Sequence, residues 1–407
     1  MLGDGITEDR RLEIEKIIAM NRIKRVGIIG GGQLAWMMGD AAKALDIELI
    51  VQTPQATDPA AAIASETILA SIDDAAATAL LAEKCDVITF ENEFINLEAL
   101  MPLQSQGICF RPRLEVLAPL LDKYNQRCYL RDIGLPVPQF VALENNRGLG
   151  ENFPEKFPVV LKARRHGYDG QGTFILKDRK SLAETLQKLG ETPVLLEEFV
   201  PFTKELAVIA ARSVNGEIVT YPVVETQQED QVCRRVLVPA EIDRAVQLQI
   251  EAIAHTLLNS LQVIGLFGIE LFLTANDKIL VNEIAPRTHN SGHFTIDASF
   301  TSQFEMHLRS VSGLPLGNPA LNCDAAVMVN LLGYEHSHSD YQEKRQKLAE
   351  IPNCHVLWYG KTESRPGRKL GHVTILLNNS DRSAPTTQQQ LQQLAQQVES
   401  IWYGTGD

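Results

Sequence analysis

No apolar run in this 407-residue chain approaches the roughly 18 residues that span a bilayer, so no transmembrane helix is expected. Cysteine is sparse: Cys85, Cys109, Cys128, Cys233, Cys323 and Cys354 form no CxxC pair and no close His/Cys spacing. That argues against zinc and disulfide frameworks. Scattered single thiols fit a reducing cytosol, and hence a cytoplasmic protein. Basic residues are in deficit, 38 Lys plus Arg against 51 Asp plus Glu. Nucleic acid and anionic membranes need a broad basic footprint, so neither partner is expected, while a small basic pocket for a phosphorylated metabolite stays open. Residues 1–22 contain Asp4, Glu8, Asp9, Glu13 and Glu15 and no apolar segment. They read as an N-terminal extension and not as a signal peptide.

With 44% hydrophobic residues, the chain can bury the cores of two or three domains. From Lys24 to Val51 it reads strand, glycine turn, helix, strand. A further apolar strand, CDVITFENE, ends near Glu91, and GICF follows at 107–110. This alternation predicts a parallel α/β domain over residues 23–118. From 119 to 315 the pattern becomes strand-rich, at 158–163, 173–177, 193–200, 205–213, 217–225, 265–273 and 278–285, with helical periodicity at 123–132, 180–189 and 241–261. Such order suggests an α+β unit on antiparallel sheet. A smaller unit is expected over 316–385. In the Gln-rich tail, 386–407, Leu391, Leu394, Val398 and Ile401 have the spacing of a docked amphipathic helix.

Three motifs carry chemistry. Gly30, Gly32 and Ala35 satisfy GxGxxG/A between a strand and a helix, the dinucleotide-binding fingerprint. The next strand, however, ends in Gln52 and Thr53, without the acid that holds a ribose. The turn is expected to aim its N–H groups at some other ligand's phosphate. The second motif, RRHGYDGQG at 164–172, lies between strands. It reads either as a loop folding over nucleotide phosphates, with Lys162 reaching a phosphate, or as a polar hairpin with a snorkelling lysine. The third is Val281 to His293, VNEIAPRTHNSGH, where acid, base and cation crowd together. A hairpin symmetric about Asn276-Asp277 places Glu283 opposite Glu270. Facing carboxylates are destabilising unless a hard cation such as Mg²⁺ lies between them. Farther on, Lys361, Arg365, Arg368 and Lys369 cluster in an otherwise acidic chain, which suits a phosphate monoester or a solvated loop.

Together, GGGQL (30–34), FPVVLKARRHGYDGQG (157–172), LLEEFVPFTKE (195–205), FGIELF (267–272), NEIAPRTHNSGH (282–293), TSQFEMHLR (301–309) and RPGRKLGH (365–372) resemble the ATP-grasp superfamily. More narrowly they resemble the 5-(carboxyamino)imidazole ribonucleotide synthetase family, over residues 23–380. The resemblance implies an α/β and α+β chain: an ATP-grasp fold with an N-terminal Rossmann-like pre-ATP-grasp domain and a small C-terminal domain. It implies an ATP-dependent ligase forming a C–N bond, with ATP and bicarbonate as co-substrates, Mg²⁺ as cofactor, aminoimidazole ribonucleotide as acceptor, and a homodimer.

By the same resemblance, Lys123 and Lys162 would contact ATP phosphates. Gly167, Tyr168, Asp169, Gly170, Gln171, Gly172 and Thr173 would cover them. Glu197, Glu198, Phe199 and Val200 would line adenine, through backbone groups, while Glu205 and Gln228 would meet the nucleoside. Asn282, Glu283 and Glu270 would hold Mg²⁺, and Arg287 and His289, with Lys162, would handle bicarbonate and its phosphorylated form. Gln33, Glu93, Tyr168, Asp169, Asn290, Ser291, Lys361, Arg365 and Arg368 would hold the ribonucleotide. Three positions depart from the family pattern: Ala35-Trp36 replace Gly-Arg, Gln171 replaces a base, and Gln228 replaces a histidine. Another ATP-grasp ligase, such as a formate-dependent glycinamide ribonucleotide transformylase, would lack the RPGRKLGH run. A non-catalytic nucleotide-binding homologue would have no use for the facing carboxylates.

Overall fold

The computed structural model describes residues 23–143, 156–165, 172–378 and 387–404. Strands β1 (Arg25–Ile29), β2 (Glu48–Thr53), β3 (Glu66–Leu69) and β4 (Val87–Phe90) form a parallel sheet in the order β3-β2-β1-β4. The central strands are buried almost throughout, as expected for parallel strands covered on both faces. The edge strand β3 has no counterpart in the sequence reading, because its ETIL segment is partly exposed and alternates weakly. The strand expected at 107–110 shrinks to one bridge between Ile88 and Phe110. Arg111 still donates to Ile88, but Pro112 has no N–H with which to continue the ladder.

A second, antiparallel sheet contains β5 (Phe140–Leu143), β6 (Val159–Ala163), β7 (Thr173–Leu176) and β8 (Val194–Glu198), in the order β5-β8-β6-β7. Leu182 and Leu186 of the Arg179–Leu189 helix close its core against Leu161 and Leu196.

The third sheet collects β9 (Phe202–Arg212), β10 (Ile218–Thr220), β11 (Val224–Glu229), β12 (Val232–Val238), β13 (Gly265–Thr274), β14 (Ile279–Ala285), β15 (Ala325–Leu332), β16 (Cys354–Trp358) and β17 (Lys369–Leu377). Its order is β14-β13-β9-β11-β12-β15-β17-β16, with β10 also on β9. The segment read as one strand at 217–225 divides in two, both halves pairing with β9. Pro222 lies at the break, where a missing N–H interrupts a ladder. Sequence reading also misses β12. Its hairpin turns on Asp230 and Gln231, both at positive φ, without the Asn-Gly signature of such turns.

The Arg244–Leu261 helix buries Val246, Ile250, Ile253, Leu257 and Leu261 against the β9–β13 face. Strands beyond residue 316 continue the same sheet through the β12–β15 ladder. The Thr387–Tyr403 helix docks on that end through Leu391, Ala395, Val398 and Trp402.

Candidate active site

A cavity of about 510 Å³ lies between the second and third sheets and the N-terminal domain. Its apolar wall includes Val160, Ile175 and Phe272, and its polar wall includes Lys162, Glu270, Asn282 and Glu283. Lys162 comes from β6, beside the inward-facing Leu161, and is 8% exposed. Its Nζ lies 2.7 Å from Glu197 Oε2 on β8 and donates to Asn282 Oδ1 at 3.1 Å. Glu197 also accepts from Arg127 Nε. Burial favours the neutral carboxyl of Glu197, but Lys162 and Arg127 outweigh it and hold the pKa down at about 2. Burial pulls the Lys162 ammonium below its ordinary value despite that partner. The Glu197 carboxylate is therefore committed to two cations. Glu198 holds the Gln139 N–H at 3.0 Å.

Glu270 on β13 stands opposite Glu283 on β14, the register expected from the sequence. The turn, though, is not the one expected. Leu273 pairs with Ile279 and Phe272 with Leu280, which centres the hairpin on Asn276, and a register shift then follows between Glu270 and Leu271. Asn282 is the extra residue of this β-bulge, and bulges re-aim side chains near functional sites. Asn282 and Glu283, neighbours in sequence, both line the cavity. Asn282 Nδ2 donates to Glu270 Oε2 at 3.3 Å. Burial, then Glu283 and Glu205, push the Glu270 carboxyl up to about 7. Burial acts on Glu283 in the same direction, but Lys123 overcomes it and the pKa falls below the ordinary value.

The pair fits Mg²⁺: hard oxygen donors, mutual repulsion in a half-buried place, and Lys123 Nζ seated on Glu283 as a stand-in cation. Among the described residues, no group of three or more His, Cys, Asp or Glu side chains forms a metal cluster. An ion on this pair would need its remaining positions filled by nucleotide phosphates or water.

On the opposite side, Arg287 is gripped in a fork by Glu93, Nε to Oε2 at 2.5 Å and Nη2 to Oε1 at 3.1 Å. Burial opposes ionisation of Glu93, yet Arg287 holds its pKa low. Glu93 was expected on the ribonucleotide; here both its oxygens serve Arg287. His289 Nδ1 accepts from the Ser291 N–H at 3.3 Å and meets Ser291 Oγ at 2.8 Å. The ring hydrogen therefore lies on Nε2, 3.5 Å from Glu270 Oε1. Burial, then Arg287 and Lys369, drop the His289 pKa to about 4, so the ring is neutral near pH 7. Asn290 forms a reciprocal amide pair with Asn330 of β15, at 2.9 and 2.8 Å, which closes that segment onto the C-terminal strands.

Gln33, Thr173, Phe199, Val200, Glu205 and Gln228 also line the cavity. Burial raises the Glu205 pKa, partly offset by a hydrogen bond with Gln228. Lys123 opens onto an adjoining cavity of about 470 Å³ that shares Glu93 and Glu283. Gly172 accepts from the Ala163 N–H at 2.7 Å. Gly167, Tyr168, Asp169, Gly170 and Gln171 lie outside the described residues.

One expectation is corrected. The glycine turn does not await a ligand's phosphate. Glu91, at the end of β4, accepts from the Gly32 and Leu34 N–H groups at 2.8 and 3.2 Å. The fit is tight: a Cβ on Gly32 would lie 2.3 Å from Glu91 Oε1, and one on Gly31 2.3 Å from Thr53 Oγ1. A resident carboxylate already fills the anion position.

The basic run spreads over several environments. Arg365 is exposed, and Arg368 donates to the Glu363 carbonyl at 3.0 Å. Burial and then Arg368 lower the Lys361 pKa, against Glu91 and Asp58. Among Lys361, Arg365, Arg368 and Lys369, it is Lys369, the first residue of β17, that reaches the main cavity wall. Sequence reasoning also missed Asp122, which caps the Lys123–Asp132 helix and holds Arg164 at 2.9 Å, as well as Arg127, Glu91 and Asn330. Each acts through a partner distant in sequence, which no local motif announces.

Family profiles match in three consecutive stretches. A ribonucleotide synthetase preATP-grasp domain covers residues 23–119, an ATP-grasp domain 128–304, and a phosphoribosylaminoimidazole carboxylase C-terminal domain 326–385. The N5-carboxyaminoimidazole ribonucleotide synthase of Synechococcus elongatus is 53% identical over 386 residues, 95% of this chain and 97% of that protein. The chain belongs to the N5-carboxyaminoimidazole ribonucleotide synthase family. Solved structures of the family agree with the fold. An N5-carboxyaminoimidazole ribonucleotide synthetase in its ADP complex superposes with a TM-score of 0.85 at 35% identity, covering 94% of this chain and 98% of that one. The Aspergillus clavatus N5-carboxyaminoimidazole synthase, in complex with ADP and 5-aminoimidazole ribonucleotide, gives 0.83 at 30% identity, covering 93% and 100%. As a member of this synthase family, the chain is an ATP-dependent ligase of purine biosynthesis.

Proposed function

We propose that this protein carboxylates the exocyclic amine of 5-aminoimidazole ribonucleotide, using ATP and bicarbonate, by way of carboxyphosphate. The observation that carries the reading is the facing pair Glu270 and Glu283, with Lys162 and Asn282 on one side and Arg287 and His289 on the other. A bicarbonate oxygen attacks the γ-phosphorus of ATP, the bond to the β,γ-bridging oxygen breaks, and ADP leaves. The ribonucleotide's amine then bonds to the carboxyl carbon, directly or after release of CO₂, as phosphate departs and the amine loses a proton.

Lys162, oriented by Glu197, meets the negative charge of the transferring phosphoryl group. Glu270, Asn282 and Glu283 would hold Mg²⁺, which when bound neutralises phosphate charge and orients the nucleotide. Arg287, fixed by Glu93, offers a preoriented cation to bicarbonate, and neutral His289 offers an Nε2–H. Glu205 and Gln228 face the nucleoside, with Gln228 supplying hydrogen bonds in place of a histidine. Lys361, Arg365, Arg368 and Lys369 bring positive charge toward the ribonucleotide's phosphate. Likeness to the family also suggests a cytoplasmic homodimer.

The test is ADP release with ATP, Mg²⁺, bicarbonate and aminoimidazole ribonucleotide, each omitted in turn. Dependence on all four is expected. Turnover that ignores the ribonucleotide would sink the proposal.

A further inference from the structure

The TSQFEMHLR run at 301–309 has no part in the chemistry above, yet its third residue touches the site. Gln303 opens the Gln303–Ser312 helix and is 0% exposed. Its Oε1 accepts from the His289 N–H at 2.9 Å, and its Nε2 donates to the His289 carbonyl at 2.8 Å and meets His293 Nδ1 at 2.9 Å. A peptide N–H can only donate, so Oε1 must face it. Nε2 then faces both remaining acceptors, and His293 is held with its hydrogen on Nε2. A single amide thus closes on both backbone polar groups of His289.

The space around this clamp is full. A Cβ on Gly292 would lie 2.6 Å from Gln303 Oε1, and one on Gly268 would lie 2.6 Å from His289 Cβ. Gln303 is itself anchored. Its backbone N–H donates to Thr295 Oγ1 at 2.8 Å, and that hydroxyl donates to the Gly292 carbonyl at 2.6 Å. Ser302 caps the helix, while Phe304, Leu308 and Val311 set it in the core of the N-terminal sheet. His307 Nε2 meets Thr89 Oγ1 at 2.9 Å, on the strand that leads to Glu93.

We propose that Gln303 is the positioning residue for His289, fixing its ring between Ser291 and Glu270 and tying it to the domain that supplies Glu93. This rests on the reading of His289 as a bicarbonate-handling group. Shifting a reacting group by about 1 Å from its working position can cost about 100-fold in activity.

The experiment compares Gln303→Met, Gly292→Ala and His289→Asn in steady-state ADP release, varying bicarbonate and ATP separately. Gln303→Met should lower kcat by up to about 100-fold and raise KM for bicarbonate, leaving KM for ATP near wild type, while Tm falls because the buried polar groups of His289 lose their partner. Gly292→Ala, which crowds the same amide without removing it, should give the same signature more weakly and serves if Gln303→Met fails to fold. In ¹⁵N spectra of the wild-type protein, His293 should show the Nε2–H tautomer. Wild-type kcat in Gln303→Met, or a loss of ATP affinity that parallels the loss of kcat, would overturn the proposal, as would an Nδ1–H tautomer at His293. If His289→Asn keeps full activity, the reading of His289 is what fails. If His289→Asn is inactive while Gln303→Met is normal, the positioning role alone fails.

Discussion

Replacing Glu197 by glutamine should harm stability more than removing Lys162, which also lines the main cavity. Glu197 is 3% exposed and bridges Arg127, also 3% exposed, and Lys162, 10% exposed. Its loss leaves two buried cations against a neutral amide. Breaking a buried pair from one side costs about 3–5 kcal/mol. Lys162→Met instead leaves Glu197 on Arg127 and deletes an ammonium that burial already disfavours. That change should cost about 1 kcal/mol or less.

At roughly 2–4 °C per kcal/mol for domains of this size, Glu197→Gln lowers Tm by about 6–20 °C and Lys162→Met by under about 4 °C. The assay is nucleotide-free thermal unfolding at several scan rates, because a multidomain chain can unfold irreversibly. The pH dependence adds a second check. Glu197 is depressed to about 2 in the fold, so its stabilisation is complete above the ordinary carboxylate value of about 4.3. It is lost as pH falls from there toward about 2. The gap between wild type and Glu197→Gln should be flat from pH 8 to about 5 and close below about 4. Equal Tm shifts in the two variants, or a gap that widens in acid, would refute the bridging argument.

Other outcomes follow from neighbouring geometry. Glu270→Gln and Glu283→Gln should each lower turnover by about 10²–10³-fold, measured as ADP release at saturating Mg²⁺; near-normal rates would refute the paired-carboxylate site. Gly32→Ala drives a Cβ to 2.3 Å from Glu91 Oε1 and should cost about 1–3 kcal/mol, read as a lower urea midpoint; an unchanged midpoint would show that Glu91 yields freely. Trp402 is fully buried, lies 5.0 Å from the Tyr341 ring, and donates to the Leu332 carbonyl at 2.8 Å. Trp402→Ala should therefore cost about 3–5 kcal/mol, seen as a fall in Tm, whereas a neutral result would mean that the C-terminal helix contributes no core.

Much of the fold was legible because its signals are local. Strand and helix periods located β6, β8, β9, β13 and the Arg244–Leu261 helix. The lost elements had conflicting or weak signals: ETIL at an edge, and VCRRVLV, whose arginines interrupt an apolar run because Glu399 waits on the C-terminal helix to receive them. At the site, residue types marked the groups that face the cavity, since acids and bases beside buried strands are costly without a use. Their partners could not be read the same way. That Glu93 serves Arg287, that Glu91 serves the glycine turn and that Asn330 serves Asn290 are facts about residues 194, 59 and 40 positions apart. Long-range pairing of that kind is set by tertiary packing, not by a motif.

The bulge at Asn282 leaves a trace in the phase of the apolar residues. Along β13 the core-facing positions Phe267, Ile269, Leu271 and Leu273 keep one parity without interruption. Along β14 they run Ile279, Val281, then Ile284, a step of two followed by a step of three. A regular strand must send adjacent residues to opposite faces, so no unbroken strand could turn both Asn282 and Glu283 into the cavity they line. The phase slip doubles the donors that β14 offers over a single residue's advance, and it does so without moving the apolar face off the core. Wherever an otherwise even apolar alternation skips a beat beside adjacent polar residues, those two side chains share a face, and a ligand is the economical reason for it.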